Sequence, residues 1–243
     1  DYQTYDSIKE NYNNTIYGTG FFLNNKQTII TNSHVINPTI DTVQLCNSIK
    51  AHLINEIEKH TQTIEWNSSA AEKDGFDDFM LKEIYEQPTA IRETIGAKIN
   101  LNSKCEFDEL GFTKDYLSSL NKIYIVACGT AMHAGLSGKI AIENLCNIPV
   151  TVDIASEFRY RNPIIDKNTL CIYISQSGET ADTIAALKLA KSKGATTLAV
   201  SNVIGSSITR EADYSIYTHA GPEIAVASTK AYTSQVMLLI ILL

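Results

Sequence analysis

The chain lacks paired-cysteine spacing, clustered histidines, a basic stripe and any apolar run long enough to span a bilayer, and each absence removes a class of protein. Its five cysteines, Cys46, Cys105, Cys128, Cys146 and Cys171, are odd in number and widely spaced, and no Cys-x-x-Cys pair occurs. That is no secreted disulfide framework, so a reduced, cytoplasmic protein is expected. His34, His52, His60, His133 and His219 show no metal-ligand spacing, so neither a metal nor any other cofactor is expected. Asp1-Tyr2-Gln3-Thr4 carries no basic or apolar leader signal. The closing apolar run, residues 236–243, is too short for a membrane span and reads as a buried helix. Acidic residues outnumber basic ones, 27 to 20, which speaks against nucleic acid. With a net charge of −7, a phosphorylated ligand is repelled by the field of the whole chain, so its binding needs locally aimed donors.

What the chain does have is alternation. Apolar β-rich runs at 123–127, 150–155, 170–175, 197–201 and 214–217 alternate with helical spacing at 132–146, 181–193 and 228–243, and with a short turn or helix at 206–211. Alternation of this kind predicts α/β architecture: a doubly wound, five-stranded parallel sheet of flavodoxin-like order, with helices on both faces. Gly194, just past Lys191-Ser192-Lys193, marks a helix end. Upstream, residues 76–98 have helical spacing, with a break or restart expected at Pro88. A polar connector at 100–108 and a short helix within 110–120 follow. Residues 1–54 form a smaller segment of unassigned fold, and no internal repeat is present.

The most informative crossing is Leu170-Cys171-Ile172-Tyr173-Ile174, then Ser175-Gln176-Ser177-Gly178-Glu179-Thr180, then the helical Ala181-Asp182-Thr183-Ile184. Unpaired N–H groups at a helix start favour an anion, and hydroxyls add neutral donors. Gly178 would let the backbone approach a ligand closely. The same residues also suit an N-cap cluster, and the local pattern leaves both readings open.

From about residue 56 onward the chain resembles the glutamine:fructose-6-phosphate amidotransferase (glucosamine-6-phosphate synthase) family, in particular the first of its two sugar isomerase (SIS) domains. The resemblance is carried, in the family's order, by Thr63-Ile64-Glu65-Trp66, Ser69-Ala70-Ala71-Glu72-Lys73, Phe79-Met80-Leu81-Lys82-Glu83-Ile84-Tyr85-Glu86-Gln87-Pro88, Ala127-Cys128-Gly129-Thr130, Ala155-Ser156-Glu157-Phe158-Arg159-Tyr160-Arg161, the 175–182 loop and Gly221-Pro222-Glu223-Ile224-Ala225-Val226-Ala227-Ser228-Thr229-Lys230-Ala231. It implies that residues 55–118 are the end of a glutaminase region with a helical linker, and that 119–243 form the SIS domain. It further implies that Thr130, Ser175, Gln176, Ser177 and Thr180 hold the phosphate of fructose 6-phosphate or glucosamine 6-phosphate, while Val226 and Ser228 touch the sugar. Ala131 stands where many members have serine, so one contact is absent and affinity is expected to be weaker. The family's role is hexosamine biosynthesis on a homodimer, with glutamine nitrogen transferred to fructose 6-phosphate. Its N-terminal cysteine and the bases of its second SIS domain have no counterpart here, so no catalytic residue is assigned and binding without turnover is expected. A non-catalytic phosphosugar sensor is the alternative.

Four further residues or groups read more plainly. Cys128 suits a small buried thiol better than a nucleophile. Glu179 suits dipole support in a first helical turn. Glu157, Arg159 and Arg161 form an ion-paired loop at a subunit boundary or a solvated face, and Lys230 reads by default as a surface helix lysine, the alternative being one that reaches a phosphate or an imine. Near the N-terminus, Gly18-Thr19-Gly20-Phe21-Phe22-Leu23 and Thr28-Ile29-Ile30-Thr31-Asn32-Ser33-His34-Val35-Ile36 resemble the histidine-bearing hairpin of trypsin-like serine proteases. The nucleophile's setting in that family is missing, which leaves a protease remnant as the weakest reading.

Overall fold

The computed structural model describes residues 2–3, 20–23, 28–30, 72–96, 98, 107 and 110–242. The chain divides into two compact units, Asp1–Thr63 and Ile64–Leu243. In the first, β1 (Tyr2–Gln3) pairs antiparallel with β2 (Gly20–Leu23), which pairs antiparallel with β3 (Thr28–Ile30). His34 of the protease-like segment lies outside the described residues, as do Cys46 and Cys105.

The second unit opens with α1 (Phe79–Gly96), which runs straight through Pro88. Proline has no N–H to give the carbonyl four residues back, and here Gln87 Nε2 donates to that Ile84 oxygen at 3.0 Å. The side chain supplies the bond the backbone cannot, and the break expected at Pro88 does not occur. After α2 (Lys114–Ser119), capped by Thr113 Oγ1 on the Tyr116 amide, the chain alternates. The order is β4 (Lys122–Ala127), α3 (Thr130–Cys146), β5 (Val150–Ile154), α4 (Ala155–Tyr160), β6 (Thr169–Ser175), α5 (Ala181–Ser192), β7 (Thr196–Ser201), α6 (Ser207–Glu211), β8 (Tyr214–Tyr217) and α7 (Lys230–Ile241).

The sheet order is β5-β4-β6-β7-β8, every pair parallel. Strand order therefore reverses between β4 and β6, which opens a crevice at their carboxyl ends. All seven residues of β6 are buried, because helices cover both faces. Leu170, Ile172 and Ile174 join one core with Ile123, Ile125, Ile142, Leu238 and Leu239. Cys171 and Tyr173 join the other with Phe158, Ala186, Leu187 and Ile208. Each fully buried large side chain stabilises by about 1.5–3 kcal/mol, which makes β6 the axis of the unit. On the first face α3 and α7 pack closely at Gly138, where a Cβ would stand only 2.7 Å from Leu239 Cδ1.

Where the sequence suggests an ion-paired loop or a solvated face around Glu157, Arg159 and Arg161, residues 155–160 form the one-and-a-half-turn helix α4. Ala155 and Phe158 are buried beneath it, Arg159 pairs with Asp182 of α5 at 3.0 Å, and Arg161 pairs with Asp153. At the opposite end of the sheet Asp213 accepts from the Thr197 amide at 3.0 Å and the Thr197 hydroxyl at 2.8 Å, with Lys191 Nζ at 2.9 Å. Burial pushes this carboxyl up, but the Lys191 ammonium and the Thr197 bonds outweigh burial and hold it below the usual aspartate range.

Candidate functional site

A cavity of about 200 Å³ lies at the strand-order reversal. Cys128, Thr130 and Ala131 line it from the β4–α3 junction, Ile174 to Ser177 and Thr180 from the β6–α5 junction, Glu223, Ala225, Val226 and Ser228 from the loop before α7, and Gln235 from α7 itself. All seven residues expected to contact a phosphosugar, Thr130, Ser175, Gln176, Ser177, Thr180, Val226 and Ser228, are thus brought to one space from three separate stretches of chain.

Three helices begin here, and their first turns differ. The starts of α3 and α5 have no side-chain cap. Thr180 stands at the N-cap position of α5, but its Oγ1 lies 3.2 Å from Ser175 Oγ instead of over the helix amides. The first N–H groups of α5 therefore receive no N-cap side chain, and the positive end of the helix faces the β6–α5 loop, while the acidic residue of its first turn, Asp182, is paired with Arg159. The start of α7 is occupied: Glu223 Oε1 accepts from the Thr229 and Ala231 amides at 2.9 and 3.2 Å, and Ser228 Oγ donates to Oε2 at 3.1 Å. An anion entering the cavity is favoured at α3 and α5 and repelled at α7.

Within the loop, hydroxyls do the capping. Gly178 N–H donates to Ser175 Oγ at 3.1 Å and Glu179 N–H to Ser177 Oγ at 3.2 Å. The Gly178 amide is thereby turned to Ser175 and not to the cavity, and the reason for glycine is a different one. Its φ is +70°, and a Cβ there would overlap Ser206 and meet Ser201 Oγ at 3.0 Å. Gly178 lets the β6–α5 loop lie against the β7–α6 loop, and its carbonyl accepts from the Ile208 amide.

Two further expectations are corrected. Glu179 precedes α5 and serves another helix: its Oε1 accepts the Ser207 amide at 2.7 Å, in the first turn of α6. Hydrogen bonding from Ser207, by its side chain first and its amide second, holds this carboxyl below the usual glutamate range. Lys230 is not a surface lysine but 4% exposed, with Nζ 2.6 Å from Glu86 Oε2. It lines a second cavity with His219, Gly221 and Glu93, outside the one described above.

Cys128 is half-buried at the cavity edge, where Thr183 Oγ1 approaches its sulfur at 3.9 Å. Gln235 carries no signal in the sequence, since its setting in an apolar helical run does not mark it as facing a cavity. It is 3% exposed, and its Oε1 is sealed from solvent with no hydrogen-bond partner. Among the described residues, no cluster of His, Cys, Asp or Glu could hold a metal ion, and no helix is long and apolar enough to cross a membrane.

The SIS domain family pattern matches residues 116–243, the stretch that builds the sheet and this crevice. The chain belongs to the SIS domain family. Relatives of this SIS chain include the glutamine–fructose-6-phosphate aminotransferase (isomerizing) of Clostridium tetani, 61% identical over 187 residues that cover 77% of this chain and 31% of the relative. That of Fusobacterium nucleatum is 51% identical, with the same coverages. The chain thus spans about a third of the length of these curated relatives. Among solved structures, the C-terminal domain of glucosamine-fructose-6-phosphate aminotransferase from Francisella tularensis matches with a TM-score of 0.65 at 43% identity, covering 70% of this chain and 48% of that one.

Proposed function

We propose that the cavity holds fructose 6-phosphate or glucosamine 6-phosphate, as part of an enzyme that transfers glutamine nitrogen to fructose 6-phosphate in hexosamine biosynthesis. The observation that carries this reading is the meeting, in one 200 Å³ space, of two uncapped helix starts with the hydroxyls of Thr130, Ser175, Ser177 and Thr180. Amides and hydroxyls at helix starts take a phosphate without a lysine or arginine, and the acidic chain supplies no bulk attraction. The phosphate sits on the Ser175–Thr180 side with Thr130 and Gln176, and the sugar lies toward Val226 and Ser228. Residues 119–243 are then the phosphosugar-binding domain, and 55–118 the end of a glutaminase region with its linker.

Bound this way, the phosphate supplies positioning energy to chemistry at the sugar carbon end. The chain by itself binds without turnover, because the one carboxylate among the described residues lining the cavity, Glu223, is engaged with the start of α7. The full enzyme works in the cytoplasm as a homodimer and feeds the formation of UDP-N-acetylglucosamine. Calorimetric titration with fructose 6-phosphate, using fructose as control, tests the reading. Heat of binding with the phosphorylated sugar alone supports it, and equal responses to both sugars refute it.

A further inference from the structure

Helix α1 lies outside the matched region 116–243, yet it holds the loop that forms one wall of the cavity. Glu83 is 2% exposed, and its Oε1 accepts the main-chain N–H of Ile224 at 2.6 Å and of Ala225 at 3.1 Å. Ala225 and the two residues that complete this wall, Val226 and Ser228, follow at once. Glu83 Oε2 is buried with no partner. Burying a carboxylate that is half unsatisfied is costly, and an apolar side chain would serve packing alone at lower cost. What the carboxylate provides is an acceptor that fixes two loop amides at once.

Two neighbouring ties act in the same direction. Lys230 Nζ reaches Glu86 Oε2 at 2.6 Å, and Thr94 Oγ1 donates to the Thr218 carbonyl. On the far side of the loop Glu223 holds the Thr229 and Ala231 amides. The segment between is suspended from two carboxylates, Glu83 and Glu223, with Val226 fully exposed at its tip.

We propose that Glu83 is a positioning residue for ligand recognition: from a helix outside the SIS domain proper, it sets how far the Ala225–Ser228 wall stands from the phosphate-side loop. It governs the sugar half of the ligand and leaves the phosphate half unaffected. This rests on the phosphosugar reading above. The test compares the unaltered chain with Glu83→Met, which removes the acceptor at similar length, and Glu83→Gln, which keeps it. Fructose 6-phosphate and inorganic phosphate are titrated into each, and amide hydrogen exchange is followed at Ile224, Ala225 and the β6 core.

The expected result is a loss of about tenfold or more in fructose 6-phosphate affinity for Glu83→Met, with inorganic phosphate within about twofold, β6 still protected, and recovery to within about threefold in Glu83→Gln. The proposal is overturned if Glu83→Met binds fructose 6-phosphate like the unaltered chain, or loses both ligands alike while β6 stays protected. Should Glu83→Met not fold, exchange in the unaltered chain decides. Protected Ile224 and Ala225 amides, slowed further by fructose 6-phosphate but not by phosphate, support the role, and unprotected ones overturn it. An unaltered chain that binds neither ligand refutes the phosphosugar reading instead, and its Glu83 is judged by the effect of Glu83→Met on those two amides.

Discussion

Ser175 Oγ and Thr180 Oγ1 face each other at 3.2 Å, joining the last residue of β6 to the residue before α5 across one edge of the cavity. Each hydroxyl also shapes the loop in a second way, since Ser175 receives the Gly178 amide and Thr180 leaves the α5 amides uncovered. A hydrogen bond to a charged group contributes about 1.5–3 kcal/mol. Thr180→Val, which preserves shape, is expected to weaken fructose 6-phosphate binding by roughly tenfold or more, and Ser175→Ala by at least as much. Calorimetry on both variants checks this, and undiminished affinity would remove the phosphate from this edge.

Gly178→Ala is expected to destabilise the chain by about 2–3 kcal/mol, through the strain of a side chain at φ +70° and overlap with Ser206. Adding Ser206→Gly relieves the overlap but not the backbone strain, so the double variant should lie between Gly178→Ala and the unaltered chain. Urea unfolding of all three provides the comparison. A double variant less stable than Gly178→Ala would show that the contact with Ser206 is not what demands glycine.

Acid should loosen the structure at two identified carboxylates. Asp213 and Glu179 are both held below their ordinary range, so each contributes stability that is complete above its unfolded pKa and is lost as pH falls through the folded one. Stability should therefore decline below about pH 5, and Asp213→Asn should be less stable at neutral pH but show a shallower acid decline. Denaturant midpoints at a series of pH values measure this. An identical acid slope in Asp213→Asn would discount the contacts with Lys191 and Thr197.

Thiol labelling separates three cysteines. Cys146 is exposed, Cys128 is half-buried at the cavity, and Cys171 is buried in β6, where burial pushes its thiol up to about 12. Since the thiolate is the reactive form, iodoacetamide should modify Cys146 first and leave Cys171 intact in the folded chain. Fructose 6-phosphate should slow modification of Cys128 but not of Cys146, as read by peptide mass spectrometry. Equal rates at Cys128 with and without the ligand would place the sugar elsewhere.

The five strands were legible because runs such as 170–174 are short, β-rich and apolar at every position, as a strand in a sheet covered on both faces requires. The part of the cavity lining between β6 and α5 was legible because hydroxyls and glycine crowd one strand-to-helix crossing. What escaped was set by partners far away in sequence. Glu83 meets its amides 141 and 142 residues later, and Lys230 is buried by a carboxylate 144 residues earlier. Helix α4 escaped because it is only six residues long, with two of them buried, too few to show a period. Pro88 misled because the remedy was a neighbouring glutamine side chain, which no propensity scale counts.

The described lining of the cavity at the strand-order reversal holds no lysine, arginine or histidine and one carboxylate, Glu223, on a chain of net charge −7. Pockets that grip phosphate with cations weaken as ionic strength rises, because dissolved ions screen the attraction. Here the long-range force is repulsive and the short-range bonds are neutral, so the sign reverses. Raising sodium chloride from about 10 to 150 mM, across which the Debye length shrinks from about 30 to 8 Å, should leave the capture of a phosphate monoester unchanged or slightly improve it.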